Sequence, residues 1–149
     1  MVALATSLYA LDEELNILIE QTAPPTKIAA RYNHITTNQR GDDGAEQTSL
    51  PRQFWVRWDS QRRETFGSSQ SLYRIDAAVV IGYPKSDNWS IDRMADMDCL
   101  SKAVDAYTPT ATGVQFIEAL DGAEQVVTES ASGDYVWAEL PIFAEIFVT

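Results

Sequence analysis

"SGDYVWAELPIFAEIFVT", Ser132 to Thr149, alternates in a way that only a strand explains. Val136, Ala138, Leu140, Ile142, Ala144, Ile146 and Val148 fall on one side of a period of two, and that side is uniformly apolar. It has to be covered. The other side carries Tyr135, Trp137, Glu139, Pro141, Phe143, Glu145 and Phe147, a mixture of aromatics and carboxylates that takes either a helix of the same chain or another chain. Pro141 has no amide to give a ladder, so it predicts a bulge that splits the strand or a position at a sheet edge.

Upstream, "GVQFIEAL" (113–120) and "EQVVTES" (124–130) also alternate, and "DG" at 121–122 and "SG" at 132–133 are hairpin signals. "LYRIDAAVVIGY" (72–83) is the clearest strand, and "QFWVRWD" (53–59) is another, with Phe54, Val56 and Trp58 alternating with Trp55 and Arg57. Between these two, "SQRRETFGSSQS" (60–71) reads as a long polar hairpin loop or as two partly extended arms.

Two segments change period. Leu4, Leu8, Leu11, Leu15 and Leu18 trace one stripe of a helix that Pro24 and Pro25 stop, after which Thr26 caps a turn through "KIAARY". "SIDRMADMDCLSKAVDAY" (90–107) predicts a second helix. Ser90 caps it, Asp92 sits in the first turn, and Met94, Met97, Leu100 or Ser101, Val104 and Tyr107 form the buried stripe. The stretch 33–52 has no period and reads as a long loop or arm. The expected fold is therefore α/β in the α+β sense: one domain over 1–149, a mixed, mainly antiparallel sheet flanked by two helices, with long loops.

Composition narrows the function classes. The chain has 22 acids against 11 bases, a formal net charge of −11, which argues against general DNA or RNA binding. The bases are concentrated, with Arg52, Arg57, Arg62 and Arg63 close together among Trp55, Trp58 and Phe66. That composition suits a protein interface, a solvated face beside a core, or a stacking surface for nucleic acid. Of these the interface reading is adopted, with Arg57, Trp58, Arg62, Arg63, Trp55, Phe66, Trp137 and Phe143 as its residues.

Chemistry finds few footholds. His34 and Cys99 are the only imidazole and thiol, so no zinc site is expected, and Asp92, Asp96 and Asp98 read as a solvated helix face without the spacing of a calcium loop. "GDDG" at 41–44 lacks a phosphate loop's lysine and reads as a turn. Glu139 and Glu145 read as same-face surface charges and not as a catalytic pair. No catalytic residue, metal or cofactor is expected. A single cysteine permits no intrachain disulfide, and no run is apolar enough for a bilayer span, so a cytosolic protein or a particle assembled in the cytosol is expected.

The order of a leucine-striped helix, "FWVRW", "YRIDAAVVIGYP", the helix "RMADMDCLSKAVDAY" and closing strands resembles the tail terminator, or tail completion, proteins of long-tailed bacteriophages, the lambda tail terminator family. The resemblance covers most of the chain as an order of elements and rests on no invariant motif. It implies a virion structural protein of the tail's neck region, assembled in the host cytoplasm. Such a protein forms a homohexameric ring on the head-proximal end of the tail tube, ends tube polymerisation and provides the head-attachment surface. Implied partners are other copies of itself, the tail tube protein and a neck or head-completion protein, with DNA passing through the lumen and no membrane. A head-closure, neck or minor tail component, a small cellular adaptor and a carboxylate-dependent enzyme are the alternatives.

Overall fold

The computed structural model describes residues 3–35, 50–66, 70–86, 88–120, 127–129 and 133–149, with the side chains of residues 65 and 66 excepted. Along the chain run α1 (Leu4–Gln21), β1 (Asn33–His34), β2 (Gln53–Phe66), β3 (Gln70–Pro84), α2 (Trp89–Ala106), β4 (Val114–Ala119), β5 (Val127–Glu129) and β6 (Tyr135–Val148). They form a mixed α/β fold in which two helices flank a mainly antiparallel, curled sheet. Its strand order is β1-β2-β3-β6-β4, with β5 also on β6, and β1 on β2 is the parallel pair.

The apolar side of β6 packs inward as its alternation requires. Val136, Ala138, Leu140, Ile142, Ala144 and Ile146 join Ile75, Val79 and Ile81 of β3 and Phe54 and Val56 of β2 in one core. Leu11, Leu15 and Ile19 of α1 and Met97, Leu100 and Val104 of α2 cover it. Each fully buried Leu or Ile contributes roughly 1.5–3 kcal/mol, so this layer holds the domain together.

Several expectations are corrected. The stretch 33–52 is anchored at both ends: Asn33–His34 is a strand on β2, and Arg52 is buried, while 36–49 lie outside the described residues. Of the two readings of 60–71, the extended arms hold in the described part and the long loop does not, because β2 and β3 stay paired out to Phe66 opposite Gln70. A shift of register between Trp58 and Ser60 marks a bulge in that ladder. A turn does follow Thr26, at 27–28, but the Thr26 hydroxyl is not spent on capping it. It donates to Asp92 at 2.6 Å instead.

The second helix starts one residue before Ser90, with Asn88 at the N-cap position and no side-chain cap bond. Its buried stripe is Asp92, Asp96, Met97, Leu100, Ser101 and Val104, whereas Met94 is 63% exposed. Two carboxylates therefore occupy the buried positions that were expected to face water.

The "DG" step at 121–122 lies outside the described residues, but it cannot join a hairpin between β4 and β5. Both strands pair antiparallel with β6, so they run the same way, one after the other along one edge. The turn between β5 and β6 does use glycine, with Gly133 at φ 77°. Pro141 neither splits β6 nor sits on an outer strand. Its carbonyl accepts from Leu120 N–H at 2.9 Å, on the side where β4 has just ended and β5 has not begun. A strand residue's nitrogen and carbonyl share one side in an antiparallel ladder, so the missing amide falls in that gap and costs no bond.

Candidate functional site: the open face of the sheet

Both helices lie on the side of Val136 and Val79, which leaves the opposite side of the sheet without a helical layer among the described residues. Strand alternation puts Trp55, Arg57, Arg62, Arg74, Trp137, Glu139, Phe143 and Glu145 on this open face. Small residues line its floor. Ala78 and Val80 of β3 are 2% and 3% exposed, shielded by the larger side chains of β2 and β6 beside them.

At one end the floor residue is Gly82. A Cβ there would lie 2.4 Å from Tyr135 and 2.5 Å from Trp137, so its absence lets both rings lie across β3. Trp137 meets Tyr135 and Trp55 edge-on, each with centroids 4.8 Å apart. Tyr135 is buried and donates to the Leu50 carbonyl at 2.6 Å, and burial pushes its phenol pKa up. The cluster is thus fixed from below, with Trp55 and Trp137 left half-buried on top.

Charge pairs occupy the middle of the face. Arg57 reaches Glu139 at 2.6 Å across β3 and Asp59 at 2.5 Å. Hydrogen bonds to Glu139 and then Asp59 hold the guanidinium proton more tightly than usual. Arg74 pairs with Glu145 at 3.2 Å and with Glu64. Near these, Phe143 packs on Phe116 of β4 with centroids 6.0 Å apart. The expected same-face placement of Glu139 and Glu145 holds, and each is neutralised by its own arginine.

The eight expected interface residues do not form one surface. Trp55, Arg57, Arg62, Trp137 and Phe143 share the open face. Trp58 lies on the helix side, where its indole N–H donates to Asp12 of α1 at 2.9 Å. Arg63 also turns to that side, opposite Tyr73, and donates to Ser71 at 2.9 Å. Phe66 ends β2, and its side chain is outside the described set. Sequence reading missed Arg74, Tyr135 and Phe116, although the same alternation that placed Phe143 puts each of them on this side.

Arg52, grouped with the other arginines by sequence, belongs to a different structure altogether. It is fully buried and binds Asp96 through Nε at 2.9 Å and Nη2 at 2.9 Å. Its remaining donors go to the carbonyls of Thr26 (2.6 Å) and Ala29 (2.9 Å) and to Thr26 Oγ1 (2.5 Å). Asp96 also accepts from Tyr32 and Tyr83, both at 2.7 Å. Burial and the Asp96 carboxylate push both phenols up, so they stay protonated. Every donor of the guanidinium is used, so this knot fastens the 22–32 connection, the entry to β2, the end of β3 and α2 to one another.

Among the described residues no group of three or more His, Cys, Asp or Glu is placed to hold a metal ion, and no helix is long and apolar enough to cross a membrane. Cys99 is half-buried on α2, 3.6 Å from the Ala23 carbonyl. No protein-family model matches the chain, and no curated protein matches it.

Proposed function

We propose that this chain is a ring-forming structural subunit of a bacteriophage tail, a tail terminator that caps the head-proximal end of the tail tube. The observation that carries the reading is the open sheet face, where half-buried Trp55, Trp137 and Phe143 lie among paired arginines and carboxylates. Interface centres favour tryptophan and arginine, and ion pairs already matched within one subunit cost less to bury than lone charges. The resemblance in element order supports the same reading.

The role needs recognition and no catalysis. A ring subunit presents one surface to its neighbour and a different one in return, and the contact closes when the rotation closes. Growth of the tube stops when the ring's outer face no longer repeats the pattern that the tube protein binds. An acidic ring leaves a like-charged lumen through which DNA passes without being held.

The test is tube growth. Added to polymerising tail tube protein from the same phage, the chain should arrest elongation and leave short capped tubes under the electron microscope. Phe143→Glu, which puts a charge among the open-face aromatics, should restore long tubes. Tubes that lengthen equally with and without the wild-type chain would defeat the proposal.

A further inference from the structure

A second surface lies at the outer edge of β2. Asn33 N–H donates to the Arg52 carbonyl and Ile35 N–H to the Phe54 carbonyl, each at 2.9 Å, so β1 occupies the start of this edge. β1 ends at His34, and among the described residues nothing pairs with the edge beyond Phe54. Successive residues turn their backbone groups to alternate sides, so the amides and carbonyls of Val56 and Trp58 point outward, on the side where β1 binds Phe54. An edge that no described residue pairs is satisfied by an extended chain and by little else.

A groove runs beside these two residues. It measures about 400 Å³ and is lined by Ala5, Leu8, Tyr9 and Asp12 of α1 with Val56 and Trp58. A smaller hollow of about 180 Å³ continues it past Trp58 toward Gln61. Tyr9 is 80% exposed, an aromatic left in water at the groove's rim. Further along the edge come Arg62 and Arg63, both exposed, and Arg62 makes no ion pair among the described residues.

The geometry points to strand addition: the β2 edge and the α1 groove together take an extended segment of a second copy of this chain. β1 already demonstrates that a strand fits this edge. The segment's alternate residues would enter the groove and must be apolar, while its carboxylates lie near Arg62 and Arg63. A second copy fits that charge requirement, since the chain carries 22 acids against 11 bases and those arginines are the exposed part of its basic concentration. The inference rests on the ring reading and supplies the second of the two unlike surfaces that a head-to-tail contact needs.

Three variants and one isotope measurement test it. Ala5→Arg fills the groove from an exposed helix position, Tyr9→Glu charges its rim, and Arg62→Glu reverses the edge's charge; none touches the core. Each should weaken self-association, read by sedimentation, by more than about tenfold without changing the thermal midpoint. In the assembled wild-type chain the amides of Val56 and Trp58 should resist hydrogen exchange, and in the dissociated chain they should exchange freely. Self-association with these amides still exchanging freely would overturn strand addition and leave the ring reading standing. A chain that stays monomeric at every concentration and on tube ends would overturn both.

Discussion

Arg52 and Asp96 meet at 2.9 Å with both side chains fully buried, joining the first turn into β2 to the middle of α2. Arg52 holds this place with φ 58°, a conformation that non-glycine residues adopt at a cost of about 1–3 kcal/mol. The surrounding bonds must offset that cost. Removing one partner strands the other's charge in the core, so Asp96→Ala should lose about 3–5 kcal/mol in urea denaturation. A loss below about 1 kcal/mol would mean that the knot contributes little to the fold.

Gly82 is the floor of the aromatic cluster. Gly82→Ala would drive a methyl into Tyr135, which is buried and tied to the Leu50 carbonyl and so cannot swing aside cheaply. Destabilisation of about 1–3 kcal/mol is expected, together with a changed near-ultraviolet dichroism from Trp55 and Trp137. Unchanged stability and spectrum would show that the cluster does not pack as described.

How legible was this in the sequence? The sheet was, because β6 keeps a period of two against the core and β3 is a long β-branched run beside it, and the helical layer was, because α1 keeps its leucine stripe. The knot was not. Asp96 looks like any carboxylate on a helix, and the partners that bury it, Arg52 and Tyr32, are 44 and 64 residues away. The interface was half legible: alternation separates Arg57 from Trp58, but a cluster of arginines in sequence hides the fact that Arg62 and Arg63 face opposite sides. The bulge near Asp59 shifts that register, and no residue type announces it.

Glu14 of α1 accepts from the backbone N–H groups of Thr110 (2.8 Å) and Ala111 (3.1 Å) and from the Tyr107 hydroxyl (3.0 Å). Burial pushes its carboxyl up, but these hydrogen bonds and that of the Thr110 hydroxyl outweigh it and hold the pKa below the ordinary value. A depressed folded pKa stabilises fully above the unfolded value, near ~4.3, and the contribution is lost as pH falls through the folded value. The stability gap between wild type and Glu14→Gln should therefore be constant above about pH 5 and narrow in acid. A gap that does not change between neutral pH and acid would contradict the assignment.

β6 pairs with β3 from Tyr135 to Val148, and its second half carries Ile142, Ala144 and Ile146 into the core. Ending the chain after Pro141 removes these and the partner of β4. The truncated protein should be insoluble or lack a cooperative unfolding transition. A soluble, cooperatively folding truncation would show that this half of the strand is not integral to the core.

The proposed ring is best tested by mass. Light scattering across a range of concentrations, then with purified phage tail tubes, should give hexamers, either free or formed only on tube ends. A stable monomer that ignores tube ends would contradict the ring, and with it the reading of the open face as a subunit contact.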